Sequence, residues 1–332
     1  MIDKIKEVFE IMSKDKILAL FEMSKPKIAI FMAFMAIAGA FFSPNFLGGP
    51  FPNIFYLELL SFTVPDWIIQ SLSVPPVISI INAIGAGVIA GLIWAGTALF
   101  NDFYDVEIDR ITNPNRPLIK GVISSKEVIF WAFCTYLLAI LLVELAGDRF
   151  SKFLVMFFVF LGFSYSANPI RLRRSGVMGS FIIGTAGALA FIGGSASQYA
   201  VSKEGILMAV VMGVLISAST VAKDFKDIKG DKRAGIKTLP VILGYDMALK
   251  VMMISVAASY IFAMLPYFLG FYAWKTSPGI IFAGILNLLI LGKLFDKEDT
   301  KSKEKAYPRS FMCQSIVLFV FILARLMALG FV

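Results

Sequence analysis

The chain has 332 residues, 58% of them hydrophobic and only 16% charged, with a formal net charge of +8. Soluble domains average about 25% charged residues, so this composition excludes a cytosolic enzyme, a secreted disulfide scaffold and a disordered chain. With no His and only two Cys, Cys134 and Cys313, each in an apolar run, imidazole catalysis and zinc clusters are also excluded, and any metal must be a hard cation held by oxygen.

In chain order, Ile2, Ile5, Val8, Phe9 and Met12 recur at helical spacing with lysines between them. This predicts an amphipathic arm over residues 1–26 lying on a membrane surface, and not a cleaved leader. A short apolar span follows near 27–42. The stretch from Ser43 to Pro76 is rich in proline, lacks basic residues and carries Phe51, Phe55, Tyr56 and Trp67; it reads as an excursion outside the cytoplasm with aromatic surface anchors. Further spans of about 20 residues are expected near 77–101, 126–146, 150–168, 177–197, 204–222, 246–272, 277–295 and 308–331. The predicted fold is all-α, a polytopic membrane bundle of nine transmembrane helices forming one domain over 27–332. That domain contains duplicated halves, 27–146 and 150–272, and two further helices.

Basic residues test this count, because Lys and Arg concentrate on cytoplasmic loops. They cluster in the N-terminal arm and in every second loop: Arg110, Arg116, Lys120 and Lys126; Arg171, Arg173 and Arg174; Lys223 to Lys237; and Lys293 to Arg309. The intervening loops hold only Arg149, Lys152, Lys203 and Lys275. The N-terminus is therefore expected in the cytoplasm of a cell-membrane protein. The positive charge is topological and needs no nucleic-acid partner.

Two of those basic loops also contain repeated acids. Asn101 to Arg110 reads N-D-F-Y-D-V-E-I-D-R, and Lys223 to Lys232 reads K-D-F-K-D-I-K-G-D-K. Both follow D-F-x-D-[V/I]-x-x-D-[R/K], which points to an internal duplication. On a helix, residues three, four and seven apart share one face. Asp102, Asp105 and Asp109 then project together beside Asn101, and Asp224, Asp227 and Asp231 form the matching face. Six carboxylates at one mouth repel unless cations neutralise them, and Mg²⁺ with an anionic diphosphate fits this donor set. The neighbouring Arg110, Arg116, Lys120 and Lys223 suit the diphosphate. In the loop Tyr165 to Arg174, Tyr165 is expected at the membrane end of the pocket, with Arg171 or Arg173 on a phosphate. Solvated loops whose acids balance nearby lysines are the simpler alternative, which the repetition argues against. Gly87, Gly91, Gly179, Gly184, Gly187, Gly193 and Gly194 read as close helix packing.

With these residues identified, the chain resembles the UbiA superfamily of intramembrane prenyltransferases. Asn101, Asp105 and Asp109 match its N-x-x-x-D-x-x-x-D motif, and Asp224, Asp227 and Asp231 match its D-x-x-D-x-x-x-D motif. Gly235 to Pro240 and the Tyr165, Ser166, Arg171, Leu172, Arg173 segment are similar as well. The resemblance implies Mg²⁺-dependent transfer of a prenyl chain from an allylic diphosphate to a membrane acceptor, in contact with membrane lipids. It implies Asn101 and the six box aspartates as metal ligands, with Asp105, Asp227 and Tyr165 central to catalysis and Tyr165 facing a carbocation. The loops look most like the archaeal ether-lipid branch, whose acceptor is geranylgeranylglyceryl phosphate and whose donor is geranylgeranyl diphosphate. That branch usually carries an Arg-Glu pair before the second box, where this chain has Ser219, Thr220, Val221 and Ala222. An aromatic acceptor, of the quinone or chlorophyll type, is the alternative. An ion-coupled transporter is the rival from another class, disfavoured because the acids sit at span ends.

Overall fold

The computed structural model describes residues 13–46 and 76–330, so the arm positions Ile2 to Met12 and most of the Ser43–Pro76 excursion lie outside the described residues. All the regular structure among the described residues is helical. It begins with α1 (Lys14–Met23), α2 (Pro26–Phe41), α3 (Pro76–Tyr104), α4 (Val106–Thr112), α5 (Ser125–Ala146), α6 (Arg149–Ser166) and α7 (Val177–Ala196). It continues with α8 (Lys203–Thr220), α9 (Asp224–Arg233), α10 (Leu239–Leu243), α11 (Tyr245–Phe262), α12 (Leu265–Phe268), α13 (Pro278–Gly292) and α14 (Thr300–Ala328). Among the described residues, 8 helical stretches are long and apolar enough to cross a membrane. The remaining expected span, 27–42, is the apolar but shorter α2, with 16 residues. The molecule is a polytopic membrane bundle.

Small residues seat α2 inside that bundle despite its length. A Cβ on Gly39 would lie 1.8 Å from the Phe191 carbonyl oxygen of α7, and one on Gly194 would lie 1.7 Å from that of Ala36. The two backbones approach as closely as glycine allows, which brings dispersion contacts without a side-chain layer between them. Ser195 Oγ donates to the Gly39 carbonyl at 2.6 Å across the same seam.

Polar contacts sort the helix ends into two layers. At one end Lys16 pairs with Glu127 at 2.6 Å, joining α1 to the start of α5, where Ser124 and Glu127 form a reciprocal cap. Tyr245 at the start of α11 donates to the Leu294 carbonyl just beyond α13 at 2.6 Å. At the opposite end Ser43 donates to Ala200, and Ser79 donates to Gln198. There too Arg325 pairs with Glu204 at 2.7 Å, and Tyr272 donates its hydroxyl to the same carboxylate.

The last helix differs most from expectation. It begins at Thr300, well before 308, because the Asp299 side chain accepts from the Ser302 amide at 2.9 Å and caps it. The Lys-rich segment is therefore helical, with Pro308 inside the helix. This extension carries Tyr307 over the end of the bundle that holds both acidic boxes.

Candidate active site

The first box is a helix with an offset. α3 ends at Tyr104 and α4 starts at Val106, with Asp105 between them. The ladder continues through the break, since the Asp105 amide donates to Asn101 at 3.0 Å and the Asp109 amide to Asp105 at 2.8 Å. The expected shared face is therefore preserved. Arg116 reaches both Asp102 (2.6 Å) and Asp109 (2.5 Å) with one nitrogen. The second box follows a tight turn over Val221–Lys223 and runs unbroken along α9.

A cavity of about 500 Å³ opens where the boxes meet, lined by Asn101, Asp105 and Asp109 from one and Asp227 from the other. Arg116, Arg173, Lys223 and Lys226 share that charged end. Its deeper wall is apolar, with Trp94, Phe158 and Ile182. Asp102, Asp224 and Asp231 are buried beside it without lining it.

Arg173 joins the boxes. It pairs with Asp105 of the first and stands 3.9 Å from Asp231 of the second. Arg171 braces Asp105 from behind at 3.3 Å and donates to the Tyr104 carbonyl at 3.1 Å. The loop bearing both arginines is pinned to the second box's loop, where the Lys237 amide donates to the Arg174 carbonyl at 3.3 Å. Gly176 makes this approach possible: its φ is +57° and an added Cβ would lie 2.2 Å from the Lys237 carbonyl oxygen. Arg171 (φ +33°) and Lys25 (φ +51°) adopt left-handed backbone without being glycine. Such strain persists only where surroundings enforce it, and both side chains end on box carboxylates.

Lys25 was not among the sequence-derived site residues. It pairs with buried Asp102 at 3.2 Å, and burial lowers its pKa against the pull of that carboxylate. Burial likewise raises the Asp109 carboxyl, which Arg116 opposes. A second omission is Tyr307, partly buried, packed against Phe311 with ring centroids 4.9 Å apart and lining the cavity. Its only signal was an aromatic beside Pro308 in a stretch read as a loop. Tyr165 is where the sequence placed it, 7% exposed on the cavity wall, its hydroxyl accepting from Lys223 Nζ at 2.6 Å. Lys223 also lies 3.7 Å from Asp224, and Lys226 lies 3.1 Å from Asp227. Arg110 and Lys120 are exposed and do not line the cavity.

The donors fit a hard divalent cation. Every acid and amide at the mouth offers oxygen, and Asp231 Oδ1 is buried with no hydrogen-bond partner. No three acids converge among the described residues, because guanidinium groups stand between the carboxylates. An anionic ligand that drew Arg116 and Arg173 to itself would free those oxygens for a metal.

The profile of the UbiA prenyltransferase family matches residues 59–322. A digeranylgeranylglyceryl phosphate synthase of Sulfurisphaera tokodaii is 30% identical over 246 residues, which cover 72% of this chain and 84% of that protein. The chloroplastic chlorophyll synthase of Oryza sativa subsp. japonica is 29% identical over 203 residues, 56% of this chain and about half, 53%, of that protein. A solved UbiA homolog from Archaeoglobus fulgidus, bound to DMAPP and Mg²⁺, has a similar fold, with a TM-score of 0.64 at 19% identity over 94% of this chain and 99% of that one. Both acidic boxes lie inside the matched region, and the chain belongs to the UbiA prenyltransferase family, enzymes that transfer prenyl groups from diphosphates.

Proposed function

We propose that the two boxes jointly hold a Mg²⁺-bound geranylgeranyl diphosphate and that the acceptor is geranylgeranylglyceryl phosphate, as in archaeal ether-lipid synthesis. The observation that carries this reading is the cavity's polarity: charged groups from both boxes at one end and apolar Trp94, Phe158 and Ile182 at the other. That gradient matches a diphosphate joined to a hydrocarbon tail. The Archaeoglobus fulgidus homolog's DMAPP and Mg²⁺ support the donor and metal assignments. The Sulfurisphaera tokodaii relative's name supports the acceptor. The basic loops support a mouth facing the cytoplasm in a single domain over 27–332 with duplicated halves.

In this reading Asn101, Asp102, Asp105, Asp109, Asp224, Asp227 and Asp231 would hold the metal, with Asp105 and Asp227 facing the substrate. Mg²⁺, when bound, supplies charge neutralisation for the departing diphosphate. Arg116, Arg173 and Lys223 turn from carboxylates to phosphate oxygens and hold the leaving group as the allylic C–O bond loosens. Arg171 keeps Asp105 in place. The Tyr165 ring lies on the wall where the allylic carbon becomes electron-poor, and its face stabilises the carbocation until the acceptor hydroxyl oxygen bonds to that carbon and gives up its proton to the departing diphosphate. The outer shell of charge, Arg110 and Lys120, assists only in attracting the anionic substrate.

A chlorophyll-type or other aromatic acceptor is the second reading. The rice relative and the Ser219 to Ala222 departure favour it. Purified protein given labelled geranylgeranyl diphosphate and a panel of acceptors separates the two. Product with geranylgeranylglyceryl phosphate is expected. Product only with hydroxybenzoate, naphthoate or a chlorophyllide would overturn the acceptor assignment.

A further inference from the structure

Thr97, Asn101, Asp105 and Asp109 stand four residues apart in one row along α3 and α4, and all four line the cavity at the boxes. Thr97 is one helical turn, about 6 Å, deeper than Asn101, at the level where the wall changes from charged to apolar and Trp94 begins. Its hydroxyl donates to the Ile93 carbonyl at 2.8 Å, a back-bond open to any threonine within a helix. The Tyr136 hydroxyl of α5 lies 2.9 Å from the same Thr97 oxygen. Because the one Thr97 proton is on the carbonyl, Tyr136 is the donor in that pair. Two glycines make room for it. A Cβ on Gly96 would lie 2.9 Å from the Tyr136 ring. One on Gly162, itself in the cavity wall, would collide with Thr97 Oγ1 and lie 2.9 Å from the Tyr136 hydroxyl. Tyr136 is buried, whereas Thr97 is only half-buried.

We propose that Thr97, oriented by Tyr136, is a positioning residue that holds the acceptor's hydroxyl against the allylic carbon. The inference rests on the diphosphate reading of this cavity and on an alcohol as the acceptor. With the diphosphate on the row from Asn101 to Asp109 and the tail toward Trp94 and Phe158, the allylic carbon lies beside Thr97. Attack needs the nucleophilic oxygen within about 3–3.5 Å of that carbon and oriented toward it. Thr97 meets the second requirement through its proton count. Its own proton is on Ile93 and one lone pair takes the Tyr136 proton, so it presents only an acceptor to the cavity. The acceptor alcohol must then donate to Thr97, which leaves its oxygen lone pairs free for the carbon. A hydroxyl offered proton-first would occupy the lone pair that attacks. As the allylic C–O bond breaks, the acceptor oxygen bonds to the carbon and its proton passes to a departing diphosphate oxygen. Thr97 does not carry that proton, because its own is held by a carbonyl.

Thr97→Val keeps the side-chain shape and removes the oxygen; Thr97→Ser keeps the oxygen. Full-length variants are given labelled geranylgeranyl diphosphate, Mg²⁺ and geranylgeranylglyceryl phosphate. The ether product is measured beside geranylgeraniol, the alcohol that forms when water captures the carbocation instead. Binding of a non-reactive prenyl thiodiphosphate is measured by calorimetry in the same preparations. Thr97→Val should lower the ratio of ether to geranylgeraniol about tenfold, the scale of one hydrogen bond, with thiodiphosphate affinity within about twofold of wild type. Thr97→Ser should restore the ratio to within about threefold of wild type. Tyr136→Phe leaves Thr97 in place but free to turn, so it should shift the ratio the same way by a smaller factor, and it carries the test if Thr97→Val does not fold. An unchanged ratio in the folded variants, no rescue by serine, or a parallel loss of thiodiphosphate binding would overturn the inference and leave the diphosphate reading standing. Wild type that binds no thiodiphosphate, or makes no ether, would overturn the underlying reading instead.

Discussion

The two acidic boxes have nearly the same sequence and different surroundings. The first is neutralised from a distance: Asp102 by Lys25 and Arg116, Asp109 by Arg116, and Asp105 by Arg171 and Arg173. In the second, two acids are paired by neighbours in sequence, Lys223 to Asp224 and Lys226 to Asp227, and one Asp231 oxygen has no hydrogen-bond partner. A duplicated motif thus yields two kinds of site. The first box is built into the tertiary structure by cations from three other segments. The second is paired mostly within its own sequence, with spare acceptor capacity on Asp231. Arg173 is the one side chain among the described residues whose ion pairs reach both boxes.

Breaking one carboxylate in each box should have the largest effect. Asp105→Asn and Asp227→Asn should each lower prenyl transfer about 10³-fold, since each removes a charge that holds the leaving group's counter-ion, while melting temperature stays near wild type. The comparison predicts a difference in stability: Asp105→Asn leaves Arg171 and Arg173 without their partner and should cost more than Asp227→Asn, measured by thermal unfolding in detergent. Cutting the bridge comes next. Arg173→Gln should lower kcat/KM about 10²-fold, whereas Arg110→Gln and Lys120→Gln, exposed outside the cavity, should change it less than about twofold. Equal losses in all three would mean that the cavity wall does not define the diphosphate site.

Gly176→Ala tests the loop that carries the bridge. Its Cβ would meet the Lys237 carbonyl at a positive φ, so a stability loss of about 1–3 kcal/mol is expected, with activity falling as Arg173 is displaced. The smallest effect separates ring from hydroxyl at Tyr165. Tyr165→Phe keeps the ring face and should retain activity within about threefold, while Tyr165→Leu should lose about tenfold, the scale of a cation–π contact. The reverse order would assign Tyr165 to hydrogen bonding with Lys223.

Much of this site was legible in the sequence because helix periodicity and charge leave repeated marks. The spacing of Asp102, Asp105 and Asp109 specified one face before any coordinates; a single Arg116 nitrogen touches Asp102 and Asp109, while Asp105 and Asp109 line the cavity and Asp102 is buried beside it. An apolar helix near 27–42 was legible from its hydrophobic run, although at 16 residues it is shorter than the expected span, and the cavity position of Tyr165 was legible from its place at a span end. Lys25 was not, because a basic residue at a span end looks like a topology marker until its strained backbone turns it toward Asp102. Tyr307 was hidden by a local rule: Lys-rich sequence followed by proline reads as a loop, and the Asp299 cap overrides it. Arg110 and Lys120 show the opposite failure, since adjacency in sequence says nothing about which side of α4 or its following loop a residue occupies. The glycines divide likewise. Gly194 packs against Ala36, but Gly193, its neighbour, faces open space, and spacing alone does not separate the two.

The central claim is that both boxes act together on one metal-bound diphosphate. Calorimetric titration of wild type, Asp105→Asn and Asp227→Asn with a non-reactive prenyl thiodiphosphate, with Mg²⁺ and then with EDTA, tests it most directly. Tight binding should require Mg²⁺ and be lost in either variant. Undiminished binding in EDTA, or in both variants with Mg²⁺ present, would contradict it.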